Sequence, residues 1–299
     1  MSASDPIAYL PRIRSYYAAL GFDAPYVWAQ FDDVPFQPLL KPLSACRIAM
    51  VTTAAPYQPG KGDQGPGAPY NAAAKFYQVY AGNTDKDPDL RISHVAIDRQ
   101  HTTAEDQNTY FPLPALRRAV ASGRAGAVAP FFFGLPTNRS RRTTIDIDCP
   151  DLVARVKAVH ADAAILVPNC PVCHQSVSLA ARALEDEGIS TVIMGCARDI
   201  VEHVGVPRLL FSDFPLGNAA GKPGDAASQD LTLKRALDLL EDAQAPRTTV
   251  QSPLAWSTDH GWKLDYCNVE RLSPDEIARR RVEFNRGKET AREIRETLR

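Results

Sequence analysis

The sequence predicts an α/β fold, with parallel sheets covered by helices. Three observations predict it. Strand-like and helix-like segments alternate without a break after residue 148. Several strands are near-continuous apolar runs, among them "AAILVPN" and "ISTVIMGC". The helices between them are amphipathic, and some close on a glycine. The pattern divides the 299 residues into two halves, each Rossmann-like or flavodoxin-like. Residues 1–148 form an N-terminal α/β half with pocket loops, and residues 149–299 a C-terminal α/β half with a terminal helix.

The elements follow in order. "DPIAYLPRIRSYYAALG" reads as a short helix ending at Gly21. "RIAMVTT" is a buried strand that empties into the Gly/Pro loop "QPGKGDQGPGAPYN". That loop has no phosphate-binding glycine spacing. "RISHVAIDR" alternates like a strand and would put His94 and Asp98 on one face. "PLPALRRAVASG" is a helix closed by Gly123, and "AVAPFFFGL" an apolar strand or wall. "DLVARVKAVHAD" and "SVSLAARALEDEG" are helices flanking the strand "AAILVPN". "ISTVIMGC", "ARDIVEHVG" and "PRLLFSDFP" continue as strand, helix and strand. "SQDLTLKRALDLLEDA" is a further amphipathic helix. The charged terminal helix starts with a capping box, Ser273 and Glu276.

Composition bounds the function. Apolar residues make up 44% and charged residues 23%, an ordinary balance for a packed core. A net charge of −1 offers no global basic field for nucleic acid or an anionic membrane. No apolar run approaches the ~18–20 residues that span a bilayer. The first residues lack a signal-like pattern, so a cytoplasmic protein is expected. In a reducing compartment, six cysteines are not expected to form a disulfide framework.

The exception is "NCPVCH", where Cys170 and Cys173 stand at the seam between a strand and a helix. Ligands of open α/β sheets sit outside the carboxyl ends of the strands. A helix start adds unpaired N–H groups and partial positive charge, which favour thiolate over thiol. The spacing suits an exposed attacking Cys170 and a resolving Cys173 that closes a disulfide. His174 is a candidate acid–base partner. Cys196 ends the next strand, so a zinc or iron–sulfur site on Cys170, Cys173, His174 and Cys196 is the alternative.

Three segments together resemble the selenoprotein B family of glycine, sarcosine and betaine reductases and its D-proline reductase relatives. They are "AILVPNCPVC" with Gly188–Ile189 eighteen residues after Cys170, "VGVPRLLFSDFPLGN", and "SHVAIDR…EDQNTYFP". The resemblance runs from Ile48 to Pro223. Cys170 matches the family's selenocysteine position and Cys173 its partner, while Ser176 stands where a further Cys often lies. The resemblance implies reductive cleavage of a carbon–heteroatom bond, C–N or C–S, in a small carboxylated substrate. It implies Cys170 as nucleophile, Cys173 as resolving thiol and a reductase or desulfurase activity. No tightly bound cofactor is expected; an external dithiol or thioredoxin-like protein would reset the pair. A pyruvoyl-bearing partner subunit is not evident, and a homo-oligomer is expected. Candidate substrate-binding residues are His94, Asp106, Asn108, Gly217, Asn218 and Arg139, the last as a carboxylate fork. A non-catalytic substrate-binding subunit of a reductase complex is a further alternative.

Overall fold

β1 (Arg47–Thr52) has five successive buried residues after its first, the signature of a strand covered on both faces. In the computed structural model, which describes residues 5–22, 24 and 26–297, it lies inside an eight-stranded sheet. α1 (Tyr9–Ala19) precedes it. β2 (Ala55–Pro56), β3 (Tyr80–Asn83), β4 (Leu90–Arg91), α2 (Leu113–Ala121), β5 (Ala127–Val128) and β6 (Phe131–Gly134) follow. Then come α3 (Arg141–Thr143), a π-helical turn at Thr144–Asp148, α4 (Cys149–Ala158), β7 (Ala163–Val167) and α5 (Pro171–Asp186). The chain ends with β8 (Ser190–Gly195), α6 (Arg198–Val204), β9 (Arg208–Phe211), α7 (Ala226–Asp242), β10 (Thr248–Gln251) and α8 (Pro274–Thr297).

The strand order is β10-β9-β8-β7-β1-β6-β3, with β5 also on β1. Every pairing in this sheet is parallel except the edge pair β3–β6; β2 and β4 form a separate antiparallel ribbon. The expected α/β architecture with a parallel sheet is therefore the observed one. β1, from residues 1–148, pairs with β7, from residues 149–299, so one sheet joins the two expected halves. The expected boundary falls inside the helical run 141–158.

The strand period of two divides the core. Ile48, Met50, Ile165, Val167, Val192 and Met194 pack on one side with residues of α1, α2 and α7. Ala49, Val51, Ala164, Leu166 and Ile193 pack on the other with residues of α4, α5 and α6. The result is three layers, with every parallel strand ending on one edge.

The expected strand "RISHVAIDR" is a correction. Only Leu90–Arg91 is strand, and residues 92–99 turn back on themselves. The reason is Arg99, whose guanidinium donates to the carbonyls of Ser93 at 2.7 Å, Val95 at 3.0 Å and Ala68 at 3.0 Å. One side chain thus gathers carbonyls that a ladder would have used.

Candidate active site

β7 ends at Val167, and "PNC" leads from it into α5 at Pro171. Cys170 is the N-cap of α5, with extended backbone at φ −138° and ψ 169°. Pro171 at the first helical position lacks the N–H that would go unpaired there. The Cys170 Sγ accepts the Cys173 N–H at 3.2 Å, and the two sulfurs are joined as a disulfide, with Cα atoms 4.9 Å apart. The pair sits at the carboxyl edge of the sheet, over the positive end of a sixteen-residue helix.

Both sulfurs are enclosed. Cys170 is 4% exposed and Cys173 0%, so the expected exposed attacking thiol is corrected to a buried one. They pack with the apolar cluster that holds Ile92, Ile97, Phe214 and Leu216. Thr137, just past β6, places its Oγ1 3.4 Å from Cys173 Sγ. Asn169 donates from its backbone N and from Nδ2 to Thr53 Oγ1, both at 3.1 Å. Thr53 follows β1, so the ends of β1, β6 and β7 meet around the pair.

His174 is fully buried and neutral, with burial pushing its pKa down to about 4. Its Nδ1 lies 2.8 Å from the Cys170 carbonyl, and its Nε2 accepts the N–H groups of Cys196 at 2.9 Å and Ala197 at 3.1 Å. Nδ1 therefore carries the proton. Both nitrogens are taken by backbone, which leaves neither for proton exchange with a substrate in this arrangement. Burial also raises the Cys196 pKa, which keeps that thiol protonated. Among the described residues, no three His, Cys, Asp or Glu side chains converge to hold a metal ion. The alternative set of Cys170, Cys173, His174 and Cys196 is thus not assembled.

The other expected residues separate into two groups. Gly217 and Asn218 follow β9 on the same sheet edge as Cys170. Asn218 is committed internally: Nδ2 donates to the Pro215 carbonyl at 3.1 Å, and Oδ1 accepts from Thr102 at 3.3 Å. Gly217 has φ 106°, a conformation that favours glycine, and a Cβ there would meet Ile92 and Ile97. Asp106 caps a short helical turn by accepting the Asn108 N–H at 2.9 Å. Its other oxygen takes the Gly224 N–H and Gln229 Nε2, both at 2.8 Å. Asn108 is half-buried beside it.

The second group is engaged elsewhere or unsatisfied. Arg139 is exposed, donates to the Tyr17 hydroxyl at 3.0 Å and lies 5.3 Å from the Phe284 ring centroid. His94 is 2% exposed and has no hydrogen-bond partner on either ring nitrogen. A cavity of about 450 Å³ is lined by Leu10, Tyr17, Tyr26, Trp28 and His203, without either cysteine.

The chain is similar to reductase subunits. It is 26% identical over 218 residues to the D-proline reductase subunit gamma of Acetoanaerobium sticklandii, covering 72% of this chain and 87% of that protein. It is 27% identical over 213 residues to the glycine reductase complex component B subunit gamma of Carboxydothermus hydrogenoformans, covering 69% of this chain and 47% of the relative. The protein of the same description from Symbiobacterium thermophilum is 25% identical over 233 residues, covering 75% and 52%. The chain thus spans about half the length of these two glycine reductase relatives. The matches support the expected family at a coarse level. No family model matches the chain, and no solved structure matches it. Among the described residues, no helix is long and apolar enough to cross a membrane.

Sequence reasoning passes over Thr53, Thr137 and Asn169. Asn169 carries a signal, since it directly precedes Cys170 at the end of a buried strand. Thr53 and Thr137 follow other strands, and only the strand order brings them to the thiols.

Proposed function

We propose that this chain is the thiol-bearing component of a reductase that cleaves a carbon–heteroatom bond in a small carboxylated substrate. The observation that supports it most is the Cys170–Cys173 pair bridged across the N-cap of α5. The Cys170 thiolate attacks the carbon of R–X, forms a C–S bond and expels X, which leaves as HX. The Cys173 thiolate then attacks the Cys170 sulfur. The C–S bond breaks, its electron pair takes a proton to give R–H, and the disulfide forms. Two thiols and R–X become a disulfide, R–H and HX. The carbon must lie next to an electron-withdrawing group, such as a carbonyl, to leave with the pair. An external dithiol restores the thiols. The names of the relatives make D-proline and glycine the first substrates to test. The enclosure of both sulfurs also favours a second reading, a subunit that acts only when a partner opens the site.

The test is turnover by the reduced chain, alone and with candidate partner subunits, with dithiothreitol as reductant. Cys170→Ser should abolish it, and Cys173→Ala should accumulate an adduct on Cys170 seen by intact mass. Full activity in Cys170→Ser would end the proposal.

A further inference from the structure

The cavity of about 450 Å³ opens between α1, the segment 26–28 and α6. Its walls are mostly apolar or aromatic, with Ile13, Tyr17, Tyr26 and Trp28 among them. Sites for small organic molecules have this lining and run from ~300 to ~1,000 Å³. The walls are fixed by contacts of their own. The Tyr26 hydroxyl accepts from Gln175 Nε2 at 2.6 Å, and Gln175 Oε1 accepts the Ala29 N–H at 2.7 Å. The Tyr26 ring meets Trp28 edge-on, with centroids 4.8 Å apart, and the Tyr17 ring lies 5.1 Å from Phe284. Aromatic walls held in this way lose little freedom when a ligand enters.

The basic groups at this cavity lack acids. Arg14 and His203 line it, and among the described residues no carboxylate does. Arg139 donates to the hydroxyl of Tyr17, a wall residue, at 3.0 Å, and with Arg141 it acts as a cation on Tyr26, another. Among the described residues, none of Arg14, Arg139 and Arg141 has a carboxylate partner. The acids on the adjoining helix are engaged: Asp199 accepts the Leu10 N–H at 2.8 Å, and Glu202 lies 3.6 Å from Arg198. Arg139 also holds φ 54°, a left-handed conformation uncommon outside glycine that clusters at ligand sites.

We propose that this cavity binds a small carboxylate with an aromatic or other apolar body. The body lies between Tyr17, Tyr26 and Trp28, and the carboxylate meets Arg14 and Arg139. A guanidinium offers a carboxylate parallel N–H donors, and one without an acid partner has them free for a ligand. The apolar walls add the requirement for a body, since an acid as small as acetate would leave them uncovered. Neither cysteine lines the cavity, so the proposal holds whether or not Cys170 reacts.

The probes are 3-phenylpropionate, its neutral amide, and acetate as the acid without a ring, each titrated into the full chain by calorimetry. The ring-bearing acid should bind about tenfold more tightly than either of the others. Arg14→Gln combined with Arg139→Gln should remove its advantage over the amide, with circular dichroism confirming that the variant is folded. Trp28, one of three tryptophans, reports the place. The acid should change the tryptophan fluorescence of the wild type but not that of Trp28→Phe, in which calorimetry still records its binding. Absence of binding at millimolar acid, equal affinity for acid and amide, or a fluorescence change that persists in Trp28→Phe overturns the proposal. So does an advantage of the acid that survives in the folded arginine variant; should that variant not fold, the wild-type comparison and Trp28→Phe decide.

Discussion

His174 acts at the residue scale as a strut. It ties the carbonyl of the α5 N-cap to two amides beyond β8, and Gly195 leaves room for it: a Cβ there would lie 3.1 Å from the His174 Cδ2. His174→Gln should cost roughly 1–3 kcal/mol near pH ~7.5, because buried backbone groups lose their partners. The pH dependence has a definite sign. The native pKa is about 4, while an unfolded histidine titrates near ~6.5. Between those values the unfolded chain binds a proton that the native one does not. The imidazole's contribution is therefore complete above that window and falls by about 1.4 kcal/mol per pH unit as the pH drops through it. Asp98, Asp148 and Asp199, each raised to about 6 by burial, act in the opposite direction. The readout is thus the difference between wild type and variant in urea unfolding at several pH values. A gap that stays constant from about pH 7.5 to about pH 4.5 would refute the neutral strut.

At the scale of elements, the periodic parts are legible in the sequence and the locally overridden parts are not. The run from α4 to β9 carries clean strand and helix periods, and Cys170 reads as a helix start because "PNCP" follows a buried strand. The segment around His94 has strand alternation, yet Arg99 coils it through contacts that no period records. β3 escapes a sequence reading because it is short, contains Gly82 and alternates only between half-buried and exposed. Its register puts Tyr80 opposite Gly134, and a Cβ on Gly134 would overlap the Tyr80 ring. The Tyr80 hydroxyl donates to the Ala54 carbonyl at 2.7 Å, so the ring is held at both ends. Gly134→Ala should therefore destabilise the β3–β6 edge by about 1–3 kcal/mol, as overpacking does. Hydrogen exchange at residues 80–83 would show it, and unchanged protection there would count against the register.

Across the whole molecule, the sheet edge that carries Cys170 is separated from a buried ion pair that anchors its helix. Arg208, in the "VGVPR" motif of the family resemblance, pairs with Glu185 at 2.8 Å, both side chains fully buried. Glu185 also accepts from Thr191 at 2.5 Å (backbone) and 2.7 Å (hydroxyl), and Arg208 donates to the Gln37 carbonyl at 2.8 Å. One ion pair thus joins α5, β8, β9 and the segment before β1. A motif shared by sequence is here a matter of architecture. Removing one partner leaves a buried charge alone, so Arg208→Ala should cost about 3–5 kcal/mol, and Arg208→Met with Glu185→Leu should recover much of that. Glu185 lies fifteen residues beyond Cys170, about 22 Å along the helix at ~1.5 Å per residue. Alkylation of Cys170 per folded molecule should then be the same in the double variant as in the wild type, while urea midpoints differ. If the double variant changed the Cys170 rate by tenfold or more while remaining folded, the anchor and the site would be coupled, and the separation argued from their positions would fail.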